Sequence, residues 1–309
     1  MLIKLCRLLS LLVIVLTGVT AVAGTPDWLR DAARVPLPSY SDDTDAVVLL
    51  DERVVTVAPS GEVHSTYRKA YKILRPGGRT NGTLYAYLDS QTDIPSLKGW
   101  SITTTGEEYE VKKGDAITTG YSEELYSDTR YVVLRIPGAQ PGSVVGYEYQ
   151  QLERPFVLQA LWPFQDEIPV RHARFVLELP PTWSYAATWR NHETVSPQKN
   201  GDNHWIWELN SIDPILSEKE MPTWRAVAGQ LEISYAPKDS ASQSSGSWAQ
   251  IGRWYSQTTK DRRDLTPAMR DKARAIVKGI DDPMEKISAL ASYVQHDIRY
   301  VAIEIGIGG

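Results

Sequence analysis

Residues 46–74 read AVVLLDERVVTVAPSGEVHSTYRKAYKIL, and this stretch indicates the fold class of the chain most clearly. Apolar and polar residues alternate on both sides of Pro59-Ser60-Gly61, a segment with the composition of a tight turn. In the second arm a period of two places four residues on one face: Val63, Tyr67, Tyr71 and Ile73. The stretch predicts a half-buried β-hairpin with arms at 47–57 and 62–74.

The same period of two recurs along the chain as far as residue 236. Strands are predicted at 84–88, 99–104, 109–111, 130–136, 144–152, 172–179, 185–189, 204–209 and 230–235. The strands on either side of Gly106 are expected to pair, as are those at 130–136 and 144–152 across a Pro/Gly turn. Short strands separated by Gly, Pro, Asn and Asp indicate a mainly β fold, an antiparallel β-sandwich of the Ig-like type, over residues 46–236.

Residues 237–246 form a polar linker rich in Ser and Gly, and a helical period follows it. Three helices are predicted, with start signals at Ser247, Thr266-Pro267 and Asp282-Pro283. From Ile298 to Ile307, β-branched residues mostly alternate with others and predict a strand. No later strand is available to pair with it, so residues 247–309 are interpreted as the N-terminal part of an incomplete domain.

Two parts of the chain resemble known families. The run Ile298-Arg299-Tyr300-Val301-Ala302-Ile303-Glu304-Ile305-Gly306, after a helix from Pro283 to His296, is similar to the opening of the transglutaminase-like (papain-type thiol) domain of bacterial envelope proteins. Residues 46–225 resemble the domain of unknown function family 3857, which precedes such domains. Its matching features are Pro59-Ser60-Gly61, Ile136-Pro137-Gly138, Pro141-Gly142-Ser143-Val144-Val145-Gly146-Tyr147-Glu148-Tyr149, Trp162-Pro163-Phe164-Gln165 before Pro169-Val170, and Glu220-Met221-Pro222.

The resemblance implies one strand of an incomplete α+β domain after the helices. In the family, a Gly-Asp-Cys-Lys-Asp-type segment with the nucleophilic Cys follows this opening, and a His and an Asp come later; this sequence contains none of them. His296 precedes the position of the Cys and does not match the catalytic His. The resemblance therefore implies an inactive fragment of a protein that acts on peptide or amide bonds in the cell envelope through a Cys thiolate activated by His.

The first 23 residues have the pattern of an export signal. Lys4 and Arg7 precede an apolar run at 8–16, and Ala21-Val22-Ala23 is a cleavage motif. The mature chain would begin with a leader at 24–45 and would be periplasmic or extracellular, with no membrane attachment after cleavage. Its only cysteine, Cys6, is lost with the signal, which excludes disulfides and any thiol nucleophile in the remainder.

The remaining composition offers little for catalysis or nucleic-acid binding. Loss of Lys4 and Arg7 changes the formal charge from −5 to −7, which argues against a nucleic-acid partner. There is no G-x-S-x-G or H-E-x-x-H motif, and no glycine loop that opens a helix. The adjacent acids Glu107-Glu108, Glu123-Glu124 and Asp166-Glu167 are interpreted as solvated. We therefore assign no catalytic, cofactor-binding or metal-binding residue and expect no cofactor.

Two functional hypotheses remain. The first is an exported accessory module of a transglutaminase-like envelope protein, with a peptide, a protein or a cell-wall polymer as partner. The second is a stand-alone carbohydrate- or protein-binding module that uses a Trp/Tyr-rich sheet face. Trp205 and Trp207 share one face of a strand, and they either pack in the core, which is the favoured interpretation, or form an exposed platform for sugar rings.

Overall fold

The computed structural model describes residues 24–120, 126–239, 248–299 and 303–304. The helices are α1 Asp27–Arg34, α2 Trp224–Val227, α3 Trp248–Thr258, α4 Pro267–Ile276 and α5 Pro283–Asp297. The strands are β1 Ala46–Val57, β2 Val63–Ile73, β3 Thr83–Leu88, β4 Thr92–Ile102, β5 Glu108–Lys112, β6 Ile117–Gly120, β7 Tyr126–Ser127, β8 Arg130–Arg135, β9 Val144–Glu153, β10 Gln159–Pro163, β11 Val170–Glu178, β12 Trp183–Arg190, β13 Gln198–Lys199, β14 His204–Ile212, β15 Gln230–Pro237 and β16 Ile303–Glu304. The chain is mainly β, as predicted.

The strands form several sheets. An eight-stranded sheet has the order β13-β14-β11-β1-β2-β9-β4-β5, and its pairs are antiparallel except for β1 with β11. Two three-stranded antiparallel sheets have the orders β10-β15-β12 and β3-β8-β6. The parallel β1–β11 pair departs from the purely antiparallel prediction, and it places β11 beside the first hairpin.

The main core lies between the eight-stranded sheet and the β10-β15-β12 sheet. It contains Phe175 and Trp207 from the large sheet and Trp162, Leu231 and Ile233 from the small one, all almost inaccessible to solvent. A second cluster joins β4 to the β3-β8-β6 sheet through Leu97, Leu84 and Leu134, among others. The two smaller sheets therefore cover different parts of one face of the large sheet, which we call its inner face.

The outer face carries a row of alternating charges across five strands. Glu52 is almost completely buried and pairs with Arg68 at 3.0 Å and with Arg174 at 2.5 Å. Arg68 also pairs with Glu148 at 2.6 Å, and Arg174 also pairs with Glu208 at 3.1 Å. Each arginine thus lies between two carboxylates, and the buried Glu52 is paired on both sides, as a buried charge requires.

Most of the predicted strands are present, and the first hairpin is confirmed with its turn at Gly61, where φ is +86°. One predicted pairing is wrong: β8 and β9 do not form a hairpin. β8 pairs with β3 and β6, whereas β9 pairs with β2 and β4 of the large sheet. The segment after β8 instead crosses between sheets, and the Ile136 N–H donates to the Gly82 carbonyl.

The ends of the chain also differ from expectation. The leader contains α1, which packs on the outer face of the large sheet. The helix starts predicted at Thr266 and Asp282 are confirmed, since each side chain accepts a backbone N–H of its helix. The Ser247 cap, the signal and residues 240–247 of the linker region lie outside the described residues. β16, expected to be unpaired, forms a parallel pair with β7.

Leu29 is the residue that holds α1 on the sheet. It is fully buried beside Leu49, Ala70 and Trp100, and a Cβ at Gly146 would lie only 2.7 Å from its Cδ1. The absence of a side chain at Gly146 therefore allows the close approach of the helix.

Substitution of Leu29 by alanine is expected to lower the free energy of unfolding by about 3 kcal/mol, because it leaves a cavity under α1. Urea denaturation measures the change. Val35→Ala, at an exposed position just after the same helix, is the control and is expected to change stability by less than about 0.5 kcal/mol. Equal losses in the two variants would contradict the anchoring role of Leu29.

Candidate binding cleft

Charged and aromatic side chains replace apolar ones in the middle of the inner face. The strand register pairs Asp51 with Lys69, and Arg53 with Tyr67, between β1 and β2. Lys69 is in turn the partner of Tyr147 on β9. Because side chains alternate along a strand, these residues share the face that elsewhere forms the main core. Polar groups at such positions need partners, and the structure provides several of them.

Lys69 is held between two carboxylates. Its Nζ lies 2.9 Å from Asp51 Oδ2 and donates to Asp166 Oδ2 at the same distance. Burial lowers the pKa of Lys69, but the negative charges of Asp51 and Asp166 oppose this and hold the pKa well above its usual range. The ammonium group is therefore charged at neutral pH. The contact also ties the loop after β10, which carries Asp166, to the large sheet.

Arg53 lies beside this group and has several partners. Its guanidinium carbon is 4.8 Å from the centre of the Tyr67 ring. One terminal nitrogen donates to the Leu161 carbonyl at 3.3 Å, and the other is 3.9 Å from a Glu153 carboxylate oxygen. Its Nε is buried and has no hydrogen-bond partner among the described residues. Arg53 therefore connects the large sheet to β10 and keeps one donor unused.

Tyrosines form the floor and one wall of this region. The rings of Tyr67 and Tyr149 stack with centroids 4.5 Å apart and an interplanar angle of 8°. Tyr147 lies 6.3 Å from both Tyr149 and Tyr71. Burial raises the pKa of all four phenols, that of Tyr147 well above its ordinary value. They stay protonated at neutral pH, so they act as hydrogen-bonding groups rather than as bases.

A cleft of about 440 Å³ opens above these residues. Asp51, Tyr67 and Lys69 of the large sheet form its base, while Trp162 of β10 and Trp224 of α2 are on its walls. The buried Nε1 atoms of both tryptophans have no hydrogen-bond partner in the described part of the chain. The volume is within the range of roughly 300–1,000 Å³ typical of small-molecule sites. The arrangement is suited to binding a polar ligand.

No histidine is among the residues that line the cleft. His64, His172 and His204 each lie 3.1–3.9 Å from a glutamate on the sheet surface. In the described residues no three His, Cys, Asp or Glu side chains are grouped as metal ligands would be. His296 is near the end of α5, where its Nδ1 is 2.8 Å from the Ser292 carbonyl of the same helix.

The structure corrects the interpretation of Asp166 and decides between the two alternatives for Trp205 and Trp207. The interpretation of Asp166 as simply solvated is wrong, because it pairs with Lys69. Trp207 is 1% exposed in the main core and Trp205 packs against that core, so the two do not form an exposed platform. Sequence reasoning missed the cleft. The available signal was the run of charged residues, Asp51, Arg53 and Lys69, at alternate positions that should face inward.

The sequence matches a known protein family. A family model for DUF3857, a domain of unknown function with a solved structure, matches residues 59–216, just over half of the chain. The chain belongs to this family. Among curated proteins, none matches the sequence. No described helix has the length and apolar character needed to cross a membrane.

Solved structures resemble this DUF3857 protein at low sequence identity. The crystal structure of a "putative protease" from Parabacteroides distasonis shares 12% identity with a TM-score of 0.62, and the match covers 81% of this chain and 50% of that one. The chain therefore spans half the length of that protein, and the likeness shows the fold alone. Yeast LTA4 hydrolase matches with 10% identity and a TM-score of 0.33, over 76% of this chain and 39% of that one. An M1 zinc metallopeptidase from Deinococcus radiodurans matches with 11% identity and a TM-score of 0.31, over 64% and 44%.

Proposed function

We propose that this DUF3857 chain is an accessory module of an exported cell-envelope protein, and that α3–α5 belong to the opening of a transglutaminase-like thiol domain. In this proposal residues 46–236 are an Ig-like β-sandwich, residues 1–23 are an export signal, and the protein is periplasmic or extracellular. The packing of the β10-β15-β12 sheet on the large sheet supports the sandwich. The pattern Lys4, Arg7 and Ala21-Val22-Ala23 supports export.

The observation that carries the thiol-domain proposal is the apolar surface of the helices. Trp248 is 87% exposed, and Ile251 and Tyr255 are also exposed on α3. Met284 and Ile287 are exposed on α5. Large apolar side chains exposed on two helices support a surface that another element covers. A thiol domain that builds its core on α3–α5 would cover it.

The chemistry proposed for the whole protein is amide-bond cleavage or transfer by a Cys thiolate that a His activates. No cysteine lies between residues 24 and 309, so this stretch supplies no thiol nucleophile and serves as the accessory part. The partner would be a peptide, a protein or a cell-wall polymer. The description of the Parabacteroides structure as a "putative protease" agrees with this class of reaction.

The test compares residues 24–309 with the product of the complete reading frame. We expect the complete product to contain a cysteine that iodoacetamide alkylates with loss of amide turnover, while residues 24–309 remain unmodified. Hydrogen exchange of α3–α5 is expected to slow in the complete product, because their apolar surface becomes covered. Absence of such a cysteine, or equal exchange of the three helices in both proteins, would refute the proposal.

The cleft favours a second candidate, a stand-alone binding module for carbohydrate or protein. In this candidate the binding surface is the cleft and not the Trp205/Trp207 platform, because those two rings are in or against the core. The two candidates make different predictions for α3–α5. If the protein is a stand-alone module, hydrogen exchange of the exposed helices should be equally fast in residues 24–309 and in the complete product. If it is an accessory module, exchange should be slower in the complete product.

A further inference from the structure

We infer that the cleft above Asp51 and Lys69 binds a neutral carbohydrate. The inference rests on the proposed role of the sheets as a binding module, but not on the presence of a thiol domain. Four features of the cleft lead to it: its unused donors, its balance of charges, the protected edge of β10 and its size.

The first feature is a set of N–H donors without acceptors. Arg53 Nε, Trp162 Nε1 and Trp224 Nε1 are all buried around the cleft, and none has a partner in the described part of the chain. A buried donor without a partner costs about 1–3 kcal/mol, so an acceptor that reaches it is favoured. Trp224 is only partly buried and lies on the four-residue helix α2, and the inference requires its ring to turn so that Nε1 faces the ligand.

The second feature is the balance of charges. The lining contains the cations Arg53 and Lys69 and the carboxylates Asp51, Asp166 and Glu167. An anionic ligand would be repelled by the three carboxylates, and a cationic ligand would be repelled by Arg53 and Lys69. Hydroxyl groups donate to carboxylates and accept from N–H groups. A neutral ligand with many hydroxyls therefore matches both sets at once.

The third feature is the edge of β10, which argues against an added peptide strand. β10 is the edge strand of its sheet, and an extended peptide would need its outward backbone groups. The Leu161 carbonyl already accepts a hydrogen bond from Arg53, and Pro163 has no N–H to donate. This edge is protected in the way that natural sheets prevent strand addition.

The fourth feature is the combination of size and aromatic walls. The volume of about 440 Å³ accommodates a short oligosaccharide rather than a single ion or a folded partner. Tyr67 and Tyr147 at the base and Trp224 at the wall provide an aromatic surface of the kind that packs against apolar faces of ligands. Donors, acceptors and rings are thus grouped in one concave site.

The experiment is calorimetric titration of residues 24–309 with a panel of neutral trisaccharides: the N-acetylglucosamine trimer, cellotriose, maltotriose and mannotriose. We expect saturable one-to-one binding of at least one of them. Trp224→Phe keeps one aromatic ring but removes the Nε1 donor together with part of the indole surface, and we expect it to weaken binding at least about fivefold, as the loss of one hydrogen bond predicts. Thermal melting verifies that the variant is folded.

Trp248→Phe is the matched control, since it makes the same change on the exposed helix α3, and its affinity should equal that of the unsubstituted chain. The inference is overturned if no sugar of the panel binds, if both variants bind equally well, or if a neutral tripeptide competes for the site. A negative result with the sugars would leave the thiol-domain proposal intact, because that proposal is tested by alkylation and by exchange of α3–α5.

Discussion

Substitution of Lys69 by methionine is expected to lower the free energy of unfolding by about 3 kcal/mol near neutral pH. The Nζ of Lys69 is 2.9 Å from both Asp51 and Asp166. Its side chain is 17% exposed, and those of the two aspartates are 23% and 32% exposed. Removal of one partner from such a group leaves uncompensated charge in a poorly solvated place, which costs about 3–5 kcal/mol for fully buried pairs. Because the three side chains are partly exposed, the expected loss of stability is at the lower end of this range.

A compensating series separates charge from packing. Asp51→Asn alone leaves the Asp166 contact and is expected to cost about 1.5 kcal/mol, the lower end of the range for the loss of one hydrogen bond to a charged group. The triple variant Lys69→Met, Asp51→Asn, Asp166→Asn removes all three charges, and it should recover most of the stability lost in Lys69→Met. Urea denaturation measures each variant. A triple variant less stable than Lys69→Met would show that the loss comes from packing and not from unpaired carboxylates.

Lys98→Met is the matched control for this series. Lys98 is on β4 of the same sheet, and its side chain is exposed. The substitution is identical, but it leaves no buried carboxylate without a partner. We expect a change of less than about 0.5 kcal/mol, as for most surface substitutions.

Local patterns predicted the strands well because each depends on a few neighbouring residues. The period of two and the turn at Gly61 were sufficient for the first hairpin, and Gly106, where φ is +85°, marks the turn between β4 and β5. Pairing across longer distances was less predictable. The β8 and β9 sequences both fit strands, but which sheet each joins depends on which apolar face covers it, and the alternation within one strand does not contain that information.

The cleft could not be predicted from the sequence for a related reason. Asp166 is 97 residues from Lys69, and nothing local indicates that the loop after β10 returns to β2. Arg53 and Leu161 are 108 residues apart. What the sequence does contain is the irregularity itself, with Asp51, Arg53 and Lys69 at positions of a hairpin that should face a core. Charged residues at such positions indicate a buried ion pair or a polar cleft, and the structure contains both.

The stability of the protein is expected to fall steeply above pH 10. Burial raises the pKa of Tyr235 to about 12, and it also raises those of Tyr67, Tyr71 and Tyr147. A tyrosine whose pKa is higher in the folded state loses its proton first in the unfolded chain, so stability is lost as pH rises above about 10. For Tyr235 alone, the rise to about 12 corresponds to about 3 kcal/mol, all of it lost once pH exceeds that value.

Deprotonation of Lys69 also lowers the stability of the protein as pH rises. Its pKa is raised in the folded state by Asp51 and Asp166 against the effect of burial, so its stabilising contribution is complete below about pH 10 and disappears as pH rises through the raised value. Urea unfolding between pH 8 and pH 12 measures the combined effect. Tyr235→Phe should reduce the slope of stability against pH in this range, since it removes one buried phenol whose hydroxyl makes only a 3.4 Å contact with the Gln159 carbonyl. Tyr109→Phe, at an exposed ring on β5, is the matched control. If stability stayed constant up to pH 12, or if both variants changed the slope equally, the phenol of Tyr235 would have to be accessible to solvent, which would contradict its burial in the main core.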